Sequence, residues 1–286
     1  MRLRRLLLAA LYLLSLAALA AAYGHGKEYY ATPLVERPHH NLHWELKPGG
    51  SVGRTYGVVG GVLMLALLGY PLRKRWRLLR RAGRMALWLD VHIYFGVVGP
   101  LLVVLHTAFK VQGLVAVAFW SMVAVAGSGI FGRFLYGQIP RSAAGDELTL
   151  AEATALDREL ATELRGLGLT ADQLARLDAV GGEGWSADAG TLALVARLPF
   201  EPIRFAARLA RFRRECRGVP RELLARFARL ARQKALLRRR LLLWSRLHEL
   251  FHYWHVLHKP FAVLMYLFVA IHVGVAWMTG YAGGLP

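Results

Sequence analysis

The sequence predicts an all-α integral membrane protein: a helical bundle of five spans with a helical cytoplasmic insertion. The first observation is composition, since 56% of the 286 residues are hydrophobic and the mean hydropathy is +0.35. The second is that the apolar residues form long runs, and roughly 20 such residues cross ~30 Å of hydrocarbon as a helix. The third is that basic residues collect between these runs, as in the cytoplasmic loops of membrane proteins.

The first apolar run extends from Leu6 to Ala22 and follows three arginines. It has two interpretations: a signal peptide cleaved before Tyr23, or a first anchor helix, which we favour. Both interpretations place the basic N-terminus in the cytoplasm. The other runs predict spans at about residues 55–71, 86–109, 114–136 and 250–279.

Residues 73–84 determine the expected topology, because they carry seven basic side chains and no acid. Such a segment favours the cytoplasmic side. Five spans from a cytoplasmic N-terminus then put the C-terminus outside, in a membrane of the bacterial inner-membrane type. The predicted organisation is an anchor or signal segment, an outer loop, spans two to four, a cytoplasmic helical domain, and span five with an outer tail: 1–24, 25–54, 55–136, 137–246 and 247–286.

The predicted insertion divides by charge. Residues 141–195 hold ten acids against four arginines, and residues 204–246 hold fifteen basic residues against two acids. Capping boxes at Thr149 with Glu152 and at Thr170 with Gln173 indicate helix starts. The two halves would offer a docking surface for a soluble flavin, iron–sulfur or multihaem partner. A scaffold that binds anionic lipid or nucleic acid through the basic half ranks last, and we expect no nucleic-acid partner.

Cys216 is the one cysteine of the chain, so an internal disulfide is impossible. A zinc or iron–sulfur site built from several thiolates of this chain is excluded as well, and no Cys-x-x-Cys-His motif for covalent haem is present. A redox cofactor would therefore be held by other ligands, which directs attention to the eleven histidines.

Four histidines share one spacing. His92 and His106 are 14 residues apart in the third predicted span, and His258 and His272 are 14 apart in the fifth. Fourteen residues complete nearly four helical turns, so each pair of rings shares a face and lies about 21 Å apart along the axis. Because the fourth span returns between them, spans three and five run parallel, and His92 should lie level with His258, and His106 with His272.

Two bis-imidazole pairs at opposite depths predict two b-type haems. Low-spin haem iron that only exchanges electrons takes two axial protein ligands, and neutral imidazole suits iron. Ionisable groups inside a membrane are costly and usually functional. Electron transfer across ~30 Å of bilayer is too slow in a single step, and two haems divide that distance.

Smaller features near these histidines have two interpretations each. Gly99, midway between His92 and His106, could give a flat macrocycle room, or could serve helix packing. Arg84 and Lys259 could pair with haem propionates, or could follow from topology alone. Asp90 could accept a proton from a quinone, or could be an interfacial acid.

The remaining histidines fit the pattern less well. His252 and His255 are expected at the interface, since the step from His255 to His272 leaves the shared face. The outer histidines could bind a metal or accept quinol protons, although we favour a solvated loop: His39, His40 and His43.

The spacing and topology resemble two families over residues 86–136 and 250–280. One is the cytochrome b of respiratory quinol complexes. The other is the ferric-reductase-like transmembrane family, which includes the NADPH oxidases. The resemblance implies two haems b at His92, His106, His258 and His272, and a quinone as a candidate small-molecule partner. In the ferric reductases a flavin and NADPH domain usually follows the spans, and no Gly-x-Gly-x-x-Gly after a strand occurs here.

The expected function is therefore that of a dihaem subunit. It would carry electrons between a quinone or cytoplasmic donor and an acceptor on the other face, as the membrane subunit of an oxidoreductase complex. The alternative is a membrane metal or haem transporter that uses the same intramembrane histidines.

Overall fold

In the computed structural model, the described residues are 2–138, 149–166, 190, 193, 196–215 and 221–280. Within these ranges the chain is helical and contains no strand. It divides into two compact units. One comprises Met1–Arg133 with Trp254–Pro286, and the other comprises Phe134–Tyr253.

Five helical segments are long and apolar enough to cross a membrane, as predicted. They are contained in helices whose bounds are α1, Arg2–His25; α4, Ser51–Ala66, with α5, Gly69–Arg75; α6, Met85–His106; α7, Leu114–Gln138; and α11, Trp244–Met278. The short helices between α1 and α4 are α2, Lys27–Ala31, and α3, His43–Leu46. The chain is thus an all-α membrane bundle.

Helices α4 and α6 pack antiparallel and closely, and two glycines make this possible. A Cβ built on Gly60 would lie 3.0 Å from the Gly99 carbonyl oxygen, and one on Gly99 would lie 3.1 Å from Met64 Cγ. Small residues let helix backbones approach each other in membranes. The helix-packing interpretation of Gly99 is therefore what the contacts show.

The middle of the bundle is a methionine core formed by Met64, Met122 and Met265, each less than 5% exposed. These residues come from α4, α7 and α11. Tyr266 donates a hydrogen bond of 2.6 Å from its hydroxyl to the Met64 carbonyl, which joins α11 to α4. Helix α1 joins α6 through a hydrogen bond between Ser15 and Tyr94.

The segment predicted as a polar outer loop contains a folded cap, which we define as residues 26–50. Its core consists of Tyr29, Tyr30 and Leu46, which pack with Leu105 and Ala108 of α6 and the turn after it. Apolar and aromatic side chains of this short segment pack against the ends of the spans, and their burial stabilises the cap. The Pro-rich local pattern did not reveal these long-range contacts.

A buried guanidinium holds the cap together. Arg37 is 7% exposed and donates three hydrogen bonds to backbone carbonyls: 2.9 Å to Thr32, 2.7 Å to Tyr30 and 2.5 Å to Ala108. Ala108 and Phe109 adopt positive φ angles of 47° and 59° in the turn that follows α6. Arg37 therefore anchors a turn whose backbone conformation is costly for residues other than glycine.

The second unit contains α8, Leu150–Arg165, α9, Glu201–Glu215, and α10, Arg221–Leu242. The predicted capping box at Thr149 is confirmed, because the Glu152 amide donates to Thr149 Oγ1 and the Thr149 amide donates to the Glu152 carboxylate. The predicted box at Thr170 lies outside the described residues. The three helices share a buried core: Ala153, Leu160, Phe205, Phe212, Leu230, Ala231 and Leu237.

Candidate functional site

The structure brings His106 and His272 together. His106 is the last residue of α6, His272 lies near the end of α11, and their ring centroids are 6.4 Å apart with 63° between the ring planes. Both side chains are partly buried in the bundle. Two imidazoles on opposite sides of one metal ion, with bonds of about 2.0–2.1 Å as in zinc sites, have centroids roughly 6 Å apart. The spacing of this pair therefore fits a shared metal ion.

His92 and His258 form the second pair. They lie near each other, within the range of an electrostatic interaction. His258 follows His92 in the chain by as many positions as His272 follows His106. Because the members of both pairs lie near each other, α6 and α11 run parallel in one register. The two pairs consequently lie at two depths of the same helix pair, about 21 Å apart along the axis.

Both histidines of α6 are oriented by α4. His92 Nδ1 lies 3.1 Å from the Leu67 carbonyl oxygen, and His106 Nδ1 lies 2.9 Å from that of Gly53. Leu67 and Gly53 are as far apart in the chain as the two histidines, as the antiparallel packing of α4 on α6 requires. A carbonyl can only accept, so each Nδ1 carries the proton and each neutral ring keeps its lone pair on Nε2.

Gly57 of α4 is a site residue that the sequence analysis did not assign. A Cβ at this position would lie 2.5 Å from His106 Nδ1. Only glycine therefore lets the His106 ring lie against α4 and reach the Gly53 carbonyl. The sequence contains a signal for this contact, because the predicted second span is rich in glycine. It does not show which helix packs against these glycines.

Ser128 of α7 is the second residue that the sequence analysis missed. Its Oγ lies 2.8 Å from His258 Nδ1 and 2.9 Å from the Val125 carbonyl oxygen. The Ser128 hydroxyl donates its hydrogen bond to this carbonyl. Its oxygen therefore accepts the hydrogen bond that His258 Nδ1 donates. Trp254 supports the same contact, since its indole donates to the Ser128 carbonyl at 2.7 Å and its ring lies 4.9 Å from that of His258.

His272 differs from the other three histidines. Within the described ranges no hydrogen bond to its ring occurs, and the ring of His106 is its neighbour. Metal-binding histidines usually donate their second ring nitrogen to a carbonyl, a carboxylate or water, which fixes the tautomer. Three of the four rings are thus oriented by protein groups, whereas His272 is positioned by its helix alone.

The other predicted site residues make fewer contacts. Gly99 faces α4, as described above, and clearance for a macrocycle there stays a prediction. Arg84 precedes α6 and Lys259 follows His258 in α11, and both side chains are exposed. Their pairing with propionates stays a prediction too. Asp90 lies in α6 near Tyr12 of α1, and its proposed exchange of protons with a quinone is likewise a prediction.

His39, His40 and His43 belong to the cap. His43 Nδ1 lies 3.2 Å from the Tyr29 hydroxyl, and the His40 ring packs at 5.5 Å against that of Tyr29. No group of three metal-binding side chains is found in the part of the chain that the structure describes. The hydrogen bond gives His43 a structural role in the cap, and His39 is exposed.

The residues present fit a haem at each pair. Both α6 rings and His258 have Nδ1 engaged by a hydrogen-bond acceptor, which leaves Nε2 available to bind a metal ion. The surrounding helices are apolar, so the sites are suited to a hydrophobic macrocycle. One imidazole from α6 and one from α11 at each level match the axial ligand number of low-spin haem iron.

No protein-family model, curated protein or solved structure matches this chain. The assignment of a function therefore depends on the chain's own residues and their geometry.

Proposed function

We propose that this protein is a membrane cytochrome b that holds two haem b groups and carries electrons across the bilayer. One group would lie between His92 and His258, and the other between His106 and His272. The observation that carries the proposal is the pairing of four equally spaced histidines on two parallel membrane helices, with the 6.4 Å centroid distance of the second pair.

Each haem would supply a reversible one-electron centre. The protein's contribution is ligation and environment. The Nε2 atoms would bind the iron, and the Nδ1 hydrogen bonds to Leu67, Gly53 and Ser128 would hold the rings in place and raise their basicity. The apolar bundle would exclude water, and with two histidines bound at each iron, electron transfer would be favoured over oxygen chemistry.

The depth of the pairs supports transfer across the membrane. A separation of about 21 Å along the axis places one pair toward each surface of ~30 Å of hydrocarbon. In the proposed topology, the basic segment 73–84 lies in the cytoplasm, so the His92–His258 pair is the inner one. Arg84 and Lys259 would then lie at the inner surface, where they could neutralise propionates.

We propose further that this chain is the membrane subunit of an oxidoreductase complex. The donor and acceptor would be a quinone and a redox protein with flavin, iron–sulfur or haem groups. The contrast between the acidic and basic halves of residues 137–246 supports a soluble partner, because opposite charges steer association.

The test is to purify the full-length protein in detergent and record its reduced-minus-oxidised spectrum, with the haem quantified as the pyridine haemochrome. We expect two non-covalent haems b per chain, with a low-spin α-band. Alanine at His92 or His258 should remove one haem, and alanine at His106 or His272 should remove the other. His252→Ala is the matched control, since His252 is an exposed histidine of the same helix α11.

A folded protein without haem would overturn the proposal. If the protein instead bound an exchangeable metal, and substitution of the four histidines abolished metal binding, the result would support the transporter. If the wild type and all four alanine variants each bound two haems, the protein would still bind haem, but these four histidines would not be its ligands.

A further inference from the structure

One face of α9 is exposed along its length and combines arginines with large apolar side chains. We define the α9 face as Phe200, which immediately precedes the helix, with Ile203, Arg204, Ala207, Arg211 and Arg214. At 100° per residue these positions all fall within about 100° of the helix circumference, so they form one stripe. Phe200 is 58% exposed and Ile203 is 70% exposed.

The opposite face of α9 is fully partnered. Phe205 and Phe212 are 7% and 3% exposed and belong to the core shared with α8 and α10. The acid at the start of the helix, Glu201, lies on this buried side and forms an ion pair with Arg208. Packing among the described residues of this unit therefore does not explain the exposed apolar residues of the α9 face.

No described residue compensates the positive charge of the α9 face. Arg204, Arg211 and Arg214 are exposed, and none makes an ion pair or a side-chain hydrogen bond with another described residue. Arg226 of α10, in contrast, pairs with Glu163 at 3.3 Å. Three like charges along about 15 Å of helix attract a surface of negative charge.

We propose that the α9 face binds the anionic phospholipid surface of the membrane that the spans cross. Arginine guanidinium groups bind phosphates by paired hydrogen bonds. Phe200 and Ile203 would enter the boundary between headgroups and acyl chains, as apolar residues of interfacial amphipathic helices do. A basic stripe next to exposed apolar residues is the pattern of a helix that lies on a membrane surface.

The connectivity favours lipid over a soluble acidic protein. The chain enters the second unit directly from α7 and leaves it directly into α11, and both helices are membrane spans. Both ends of the unit are therefore held at the membrane. The local concentration of lipid headgroups is high, and no binding energy is needed to bring the unit to the surface. This inference depends on membrane insertion alone and is independent of haem binding.

The experiment uses the full-length protein in nanodiscs of phosphatidylcholine, with or without phosphatidylglycerol. Ala207→Cys in a Cys216→Ser background gives one labelling position at the centre of the α9 face. A nitroxide there reports collisions with oxygen, which partitions into lipid, and with a water-soluble nickel complex. We expect nickel collisions to fall several-fold, and oxygen collisions to rise, only in discs that contain the anionic lipid.

Two double substitutions make the test specific. Arg204→Gln with Arg211→Gln should abolish the shielding, whereas Arg229→Gln with Arg232→Gln, the same charge change on exposed residues of α10, should preserve it. Lysine at positions 204 and 211 keeps both positive charges, so this variant should retain the shielding. It is also the control showing that substitution of both arginines leaves the protein folded. Equal label exposure in both lipids, the result expected if an acidic protein occupied this face, would overturn the proposal, as would equal losses in the α9 and α10 variants.

Discussion

Ser128 Oγ accepts a hydrogen bond from His258 Nδ1 at 2.8 Å and donates its own hydrogen bond to the Val125 carbonyl. This pair of contacts fixes the tautomer of His258 and leaves Nε2 available as a ligand. It also connects α7 to the proposed inner haem, although α7 contributes no histidine. The contact makes α7 part of the proposed site.

Ser128→Ala should change the inner haem alone. Loss of the Nδ1 acceptor makes imidazole a poorer donor and stabilises the ferrous form, so the midpoint potential should rise. A tenfold change in relative affinity corresponds to about 59 mV for a one-electron couple. Redox titration followed in the α-band measures both haems at once. Ser128→Thr keeps the hydroxyl and is the control, and equal shifts of both haems would contradict the assigned contact.

Gly57→Ala should remove the outer haem. The new Cβ would lie 2.5 Å from His106 Nδ1, which forces the ring away from the Gly53 carbonyl. We expect haem content to fall from two to one per chain in the pyridine haemochrome assay. Gly61→Ala is the matched control in the same helix, because a Cβ there meets no atom within 4 Å. Two haems retained in Gly57→Ala would show that this ring is not a ligand in its present position.

Arg37→Met should destabilise the cap. Hydrogen bonds to a charged donor contribute about 1.5–3 kcal/mol each, and Arg37 makes three to buried carbonyls. We expect a lower thermal midpoint in detergent and faster proteolysis within residues 26–50. Arg77→Met removes an exposed arginine and should leave both unchanged. The prediction would be wrong if the two variants behaved alike.

Tyr30 should make the protein sensitive to alkaline pH. Burial raises the pKa of its phenol from 10.0 to about 12. Between these values the unfolded chain loses the proton that the folded chain keeps, so the free energy of unfolding falls as pH rises from 10 to 12. Denaturant unfolding across this range measures the slope.

Tyr30→Phe is the informative variant for this effect. The Tyr30 hydroxyl is buried without a hydrogen-bond partner in the described part of the chain, so its removal should cost little stability at neutral pH. The alkaline loss should become shallower in this variant. An unchanged slope would assign the sensitivity to another group.

Much of the fold is determined locally and was therefore predictable. Apolar runs long enough to cross a bilayer predicted five spans, and the described part of the chain contains five helical segments that are long and apolar enough. The capping box at Thr149 depends on residues three apart and was also predicted correctly. The cap was not, because Arg37 joins Ala108, 71 positions away, and no local pattern encodes that contact.

Helical periodicity depends on the chain alone, so the five spans and the spacing that puts two histidines on one face of each of two helices could be read from local patterns. What lies behind each ring depends on the packing of distant helices. Gly53 of α4, Leu67 directly after α4, and Ser128 of α7 meet the histidines because of this packing. Gly99 illustrates both kinds of information. Its position on the histidine face follows from helical periodicity. Its contact with α4 follows from the close packing of the two helices, which tolerates only small residues at this position.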